Sequence, residues 1–335
     1  MKKIYIFIII IISSCTSNKN FEEKSNFGIV IHGGAGTILK ENMTEEMEEM
    51  YLNQLEEAVK IGFQIIKNNG DGKDAVEKTI NYLENSILFN AGKGSVLTSE
   101  GTVELDASFM EGKSLNAGAV ASVKNIKNPI SAAIKVMTSS PHVMLSGNGA
   151  DSFARNQGLE MVDQSYFITE RRKKSLEKAK KIEEENSISS YSKNELVNYK
   201  VGTVGCVVLD KNGNLFSGTS TGGMTNKKWN RIGDVPIIGA GTYANNSTCA
   251  VSATGWGEFF IRNVVGHDIS ALMEYKGLSV QDASKQVLEK VEKLGGDGGV
   301  IAIDKNGNIA MEMNTSGMYR AHVNSKGKIT VKIYK

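Results

Sequence analysis

The chain has 335 residues, 40% of them hydrophobic, and a formal net charge of +2. That length and apolar content suffice for a sizeable core in one large domain or two ordinary ones. The near balance of charge excludes an electrostatic nucleic-acid footprint, since the basic residues of 171–181 are followed directly by Glu183-Glu184-Glu185 and no nucleic-acid partner is implied.

Lys2-Lys3, the apolar run Ile4 to Ile12 and Ser13-Ser14 before Cys15 read as a targeting segment, too short to span a bilayer as a mature helix. The pattern resembles a bacterial lipoprotein signal over residues 1–14, with Cys15 as the lipidated residue. An ordinary signal peptide cut nearby is the alternative. Either predicts an exported protein, and the first predicts a lipid anchor to a bacterial membrane, facing the periplasm or the exterior. Residues 15–26 are polar and read as a tether. Cys206 and Cys249 lie in apolar strand-like runs, where they could pair or remain buried thiols.

Phe27 to His32 predicts a strand running into the glycine turn Gly33-Gly34-Ala35-Gly36, which lacks the spacing of a phosphate or dinucleotide loop. Apolar residues at helical spacing predict a helix over 45–67, capped by Thr44 and ended near Gly70, and a second over 74–85. A loop with an amide between small residues follows, Phe89-Asn90-Ala91-Gly92-Lys93-Gly94, then Glu104 to Ser108 and a buried strand at 117–123. Helices are expected at 130–137 and 148–157. Residues 169–200 read as a charged helix or a disordered linker, and a stretch that long inside a compact fold is functional or a linker.

Two hairpins share the turn phrase Asp-Lys-Asn-Gly-Asn, at 210–214 and 304–308, with flanking strands at 204–209, 215–219, 299–303 and 309–313. Between them strands are expected at 235–240 and 248–253 and helices at 258–265 and 279–294. Strands followed by helices in both halves predict a layered α/β sandwich with mostly antiparallel sheets.

The chemistry centres on Gly202-Thr203-Val204-Gly205. A threonine hydroxyl needs a base, and a free α-amino group with a pKa of about 7.7–8.0 supplies one at neutral pH. That chemistry needs no histidine, and His32, His142, His267 and His322 stand at no metal-ligand spacing. Exposing the amine requires a cut before Thr203, and Gly202 is small enough to let the hydroxyl reach its carbonyl.

Phe27 to Gly36, Phe89-Asn90-Ala91-Gly92, Leu105-Asp106-Ala107, Gly202 to Gly205, Thr219 to Asn226, Arg231-Ile232-Gly233-Asp234 and Gly295 to Gly299 together resemble the plant-type asparaginase/isoaspartyl peptidase family, over about residues 27–322. The resemblance implies an N-terminal-nucleophile hydrolase: a four-layer αββα sandwich that cleaves itself into fragments 27–202 and 203–335, which form one folded unit and an (αβ)2 assembly. It implies hydrolysis of L-asparagine and of isoaspartyl dipeptides, with no cofactor for catalysis. Thr203 would be the nucleophile and Thr221 its orienting partner. Arg231 would hold the substrate α-carboxylate and Asp234 the α-ammonium. Thr254 and the Gly255 N–H would form the oxyanion hole, with Asn90 beside the nucleophile.

The loop from Leu83 to Lys93 resembles the family's sodium loop, with backbone oxygens expected from Leu83, Glu84, Ser86, Phe89, Ala91 and Lys93. Lys93 departs from the apolar residue expected there. No Asp precedes Thr203, which favours the asparaginase side, with a glycosylasparaginase-type amidase as the alternative. Two other readings remain, a serine hydrolase built on Gly218-Thr219-Ser220-Thr221-Gly222 and a non-catalytic lipoprotein that binds amino acids or peptides.

Overall fold

Apolar residues occupy both faces of the central strands, and strand alternation sorts them into separate cores. The computed structural model describes residues 26–186 and 202–335. Its first part runs β1 (Gly28–Gly36), α1 (Glu45–Lys67), α2 (Gly72–Glu84), β2 (Leu105–Glu111), β3 (Ala117–Val123), α3 (Pro129–Ser139), β4 (Met144–Ser146), α4 (Gly147–Asn156) and α5 (Glu170–Asn186). The second runs β5 (Val204–Leu209), β6 (Leu215–Thr221), β7 (Thr242–Ala244), β8 (Cys249–Gly255), α6 (Gly257–Asn263), α7 (Val265–Lys276) and α8 (Val280–Lys293). It ends with β9 (Gly298–Asp304), β10 (Ile309–Met313), β11 (Gly317–Asn324) and β12 (Ile329–Tyr334).

One sheet has the order β12-β11-β1-β5-β6-β2-β3-β4 and the other β10-β9-β8-β7. Every pairing among them is antiparallel except β3 with β4. Ile29 and Ile31 of β1, with Val204, Cys206 and Val208 of β5, face α1 to α3. Val30 and Val207 face the other way, onto Ala250, Ile301 and Ile303 of the second sheet. Val251, Val300 and Ala302 then face α6 to α8. Helices, sheet, sheet and helices make the expected αββα sandwich. β5 and β6 lie between β1 and β2, so the residues before and after Gly202 are interleaved in one sheet.

Local chemistry explains the boundaries. Thr44 caps α1 by accepting from the Met47 N–H, as expected, while Asp71 caps α2 and starts it earlier than the sequence pattern predicts. Residues 170–186 are helical, the first of the two readings for that stretch; 187–201, the leader, Cys15 and the tether to residue 25 lie outside the described residues. Both remaining cysteines are buried free thiols on different sheets.

Some expectations need correction. Residues 235–240 form turns rather than a strand, because the Asp234 carbonyl accepts from both Ile237 and Gly241 and folds the backbone over. Buried apolar residues in turns carry the same pattern as a short buried strand. The helix expected through Val265 stops at Asn263, where Val264 takes a left-handed conformation (φ 47°) and α7 starts afresh.

The contact of α3 on β3 depends on a missing side chain. A Cβ on Gly118 would stand 2.0 Å from the Ala133 carbonyl oxygen. Gly118→Ala is expected to lose about 1–3 kcal/mol of stability through this overpacking, measured as a lowered midpoint in urea unfolding.

Candidate active site

Thr203 lies at the entrance to β5, where Gly205 pairs with His32 of β1 and Val204 with Ser220 of β6. It is buried, with 9% of its surface exposed. Its hydroxyl donates to Thr221 Oγ1 at 3.1 Å and its backbone N–H to Thr254 Oγ1 at 3.4 Å. The residue before it passes another backbone at contact distance: Gly34 has φ +115°, and a Cβ there would fall 2.1 Å from Gly202 Cα. Only glycine suits Gly34, on both conformation and space.

The Thr203 carbonyl fixes more than its own position. His32 Nδ1 lies 2.9 Å from it, and a carbonyl can only accept, so Nδ1 carries the proton. Burial pushes the His32 pKa down to about 3, which keeps the ring neutral and makes Nε2 an acceptor. Ser252 Oγ, 2.9 Å away, must therefore donate to Nε2. Each hydroxyl has one proton, so the direction propagates: Thr219 donates to Ser252 at 2.7 Å and Thr242 to Thr219 at 2.6 Å, while Ser108 shares its proton between Thr242, 2.7 Å away, and the Val235 carbonyl. These residues alternate between the two sheets.

Beside Thr203 a hollow of about 20 Å³ is lined by Thr221, Arg231, Asp234, Thr254 and Gly255, while Gly202 is still attached. Arg231 and Asp234 thus face the same space as Thr203. The Arg231 guanidinium is already gripped by Glu258, with Nε to Oε1 at 2.9 Å and Nη2 to Oε2 at 2.8 Å. Asp234 is buried, and its Oδ2 has no hydrogen-bond partner among the described residues. Burial pushes its carboxyl up to about 7, with Arg231 drawing it back only in part.

Thr254 Oγ1 accepts from the N–H of Thr203 and of Ala35, which leaves its own proton to donate. Gly255 cannot take a side chain, since a Cβ would meet the Asp297 carbonyl oxygen at 2.5 Å.

Asn90 lies beside the turn after Thr221, where its carbonyl accepts from the Gly222 N–H at 3.2 Å. Its Nδ2 donates to the Gly223 carbonyl at 2.8 Å and its Oδ1 accepts from the Val96 N–H at 2.9 Å, bracing the turn after Thr221. Asp106 of the Leu-Asp-Ala motif sits opposite Thr221 in register, fully buried, with its pKa raised by burial and drawn back by the Lys227 ammonium. Lys227 itself is buried and donates to the Glu104 carbonyl at 2.9 Å. Ser220, the centre of the Gly-x-Ser-x-Gly match, lies within β6 with its hydroxyl on Glu84 Oε1 at 2.7 Å, so no nucleophile elbow forms.

The residues of the 83–94 loop fit a hard cation held by carbonyls. A Cβ on Gly92 would stand 2.3 Å from the Glu84 carbonyl oxygen, and one on Gly94 2.1 Å from that of Phe89 and 2.8 Å from that of Ser86. The two glycines leave these oxygens uncovered, and oxygen donors suit such an ion. The carbonyls of Leu83 and Ala91 instead accept from the Ser86 and Gly94 N–H groups. Lys93 places its ammonium over the Tyr166 ring, 5.3 Å from the centroid.

The asparaginase family profile matches residues 25–333. The chain belongs to the asparaginase family. It is 48% identical over 295 residues to the isoaspartyl peptidase of Escherichia coli, covering 88% of this chain and 91% of that one. It is 47% identical to the isoaspartyl peptidase of Salmonella typhimurium, over 88% and 94% of the two chains. To the plant-type L-asparaginase of Pyrococcus furiosus it is 42% identical, over 87% and 94%.

The comparisons overturn the exported, lipid-anchored location. The shared region starts at residue 25, beyond the leader and Cys15 that alone carried that expectation, and these relatives bear enzyme names rather than a lipoprotein's. No helix among the described residues is long and apolar enough to cross a membrane.

His32, Ser252, Glu258 and Lys227 are the site residues that sequence reasoning missed. A glycine at 205, directly opposite a histidine, was the one available signal.

Two buried carboxyls set a pH dependence. Burial raises Glu84, like Asp234, to about 7, whereas both ionise near 4 in an unfolded chain. On these two groups the fold retains protons that the unfolded chain releases, while on His32 it lacks one that the unfolded chain binds between about pH 3 and 6.5; the two carboxyls outweigh the one histidine, so stability falls as pH rises from about 4 to about 7, then levels off. Urea midpoints measured across that range should show this decline, and the slope should shrink in Asp234→Asn.

Proposed function

We propose that this asparaginase-family chain is an N-terminal threonine amidohydrolase, which cuts itself before Thr203 and then hydrolyses L-asparagine and β-aspartyl dipeptides. The observation that carries the reading is the Thr203 hydroxyl, held by Thr221 in the same hollow that Arg231 and Asp234 line. The names of its relatives, isoaspartyl peptidase and plant-type L-asparaginase, support the same substrates.

In the first reaction Thr203 Oγ1 attacks the Gly202 carbonyl carbon. The C–N bond breaks as the ester forms, and water then releases the Gly202 carboxylate and regenerates the hydroxyl beside a new α-amine. The Gly34 contact favours this step by confining Gly202 against the nucleophile. Fragments 27–202 and 203–335 would stay together because β5 and β6 lie inside the sheet of the first fragment. The expected (αβ)2 assembly belongs to the same proposal, and the mass of the mature protein in solution checks it.

In the second reaction the Thr203 amine takes the hydroxyl proton, and Oγ1 attacks the side-chain carbonyl of asparagine or of the β-linked peptide. Thr254 and the Gly255 N–H donate to the developing oxyanion, the Thr254 proton being available by the count above. Ammonia or an amino acid departs with the proton, and water hydrolyses the β-aspartyl ester. Asp234 would bind the substrate ammonium and Arg231 its carboxylate, Glu258 yielding part of its grip. Backbone oxygens of the 83–93 loop, those of Glu84, Ser86 and Phe89 among them, would hold a sodium ion whose charge would brace the loop carrying Asn90.

The test is an intact mass with N-terminal sequencing of purified protein. The wild type should yield a fragment beginning at Thr203 and turn over asparagine, whereas Thr203→Ala should stay whole and inactive. A wild-type chain that remains uncut and still binds asparagine would leave a binding protein instead.

A further inference from the structure

We propose that a second, larger hollow beside Gly202 is the leaving-group subsite, shaped for the free carboxylate and apolar side chain of the amino acid released from a β-aspartyl dipeptide. The inference rests on the amidohydrolase reading above and deepens it.

The two hollows share Ala35 and Gly202 in their linings. The inner one, with Arg231 and Asp234, would fix the aspartyl part of the substrate by both its α-groups. The bond to the leaving nitrogen must then point away from that clamp. On the Gly202 side the larger hollow offers about 410 Å³, room for a whole amino acid where ammonia needs almost none.

Its chemistry is divided. Ile38, Met43, Met47 and Leu88 give it an apolar wall, fit to bury an aliphatic or aromatic side chain. Tyr319 stacks on Tyr51 with ring centroids 4.1 Å apart, and Phe89 meets Tyr51 edge-on at 5.6 Å, so this part of the lining is rigid. At the exposed rim Arg171 donates through Nη1 to Tyr51 Oη at 3.1 Å, and Tyr51 in turn donates to the Leu88 carbonyl at 3.1 Å.

Among the described residues Arg171 is in no ion pair, so its remaining N–H donors can take a carboxylate. The helix that carries it is fastened. Arg172 is buried with its Nε on the Gly94 carbonyl at 2.6 Å, and Glu183 binds Lys228 at 2.6 Å and Asn226 at 2.9 Å. α5 thus grips structure on both sides of Gly202, and a cut there leaves Arg171 in place.

The experiment compares kcat/KM of the mature protein on β-aspartyl-leucine, β-aspartyl-leucinamide, β-aspartyl-glycine and asparagine. The wild type should favour leucine over glycine, and the free acid over the amide by about tenfold, expressed in KM, as expected for one charge-assisted contact. Arg171→Gln should bring the acid-to-amide ratio close to one. Met47→Ser should erode the leucine-to-glycine preference while retaining the acid-to-amide ratio. Asparagine turnover with an acid-to-amide ratio near one in the wild type, or with a ratio that Arg171→Gln leaves unmoved, overturns the subsite alone. A wild type inactive on asparagine and on all three dipeptides overturns the amidohydrolase reading, and the subsite with it.

Discussion

One chain of hydrogen bonds, Ser108 to Thr242 to Thr219 to Ser252 to His32 to the Thr203 carbonyl, crosses back and forth between the two sheets. Away from it the sheets meet mainly through aliphatic contacts such as Val30, Val207 and Ile301, which set a separation but no direction, with single hydrogen bonds from Ser217 to the Val251 carbonyl and from the Ala35 N–H to Thr254. From Thr242 to His32 the hydroxyl chain has a direction, imposed by the Thr203 carbonyl that can only accept, and at its far end Ser108 also meets the Val235 carbonyl. Reversing any one donor would leave a buried hydroxyl facing another without a proton between them, at the cost of an unsatisfied polar group. The sheets are therefore pinned in register where Thr203 enters β5.

Glycine supplies the complementary constraint. The histidine can reach the Thr203 carbonyl because Gly205 leaves room: a Cβ there would meet Ser252 Oγ at 2.0 Å and His32 Nε2 at 2.3 Å. Gly34 and Gly202 approach backbone to backbone, which confines the carbonyl of the residue before Thr203. Pinning from one side and confinement from the other restrict the freedom that a nucleophilic attack would otherwise have to remove.

Much of this was legible in the sequence wherever a single local rule dominated. The Thr44 cap, the helical stripe of α1 and the two Asn-Gly hairpins each carry their own signal, and the structure follows them. Thr203, Thr221, Arg231, Asp234 and Thr254 were found through the family's motifs, and they line one hollow. What stayed hidden depends on contacts distant in sequence. Ser108, Thr242 and Ser252 look like ordinary strand residues until the sheets face each other. Glu258 lies 27 residues from Arg231, and no helical or strand spacing pairs them. The turns at 235–240 read as a strand because burial, not conformation, wrote their apolar pattern. The leader misled about location for a related reason: a targeting pattern is judged by composition alone, with no packing to check it.

The charges around the small hollow fit a zwitterion better than any singly charged molecule. Arg231 is balanced by Glu258, while Asp234, buried and with no partner on Oδ2 among the described residues, favours its neutral form up to about pH 7. An incoming ammonium would make the ionised form of Asp234 the favoured one, since an adjacent cation offsets the burial that raised its pKa. An incoming carboxylate would take over Arg231 donors now held by Glu258, whose side chain is 46% exposed and can turn to water. A molecule with only the ammonium would leave the Arg231–Glu258 pair untouched and gain one contact. A molecule with only the carboxylate would compete with Glu258 and leave Asp234 neutral. Bringing both groups at the spacing of one α-carbon would satisfy Arg231 and Asp234 together, and this would turn a pair of adjacent charges into selectivity for a free α-amino acid end.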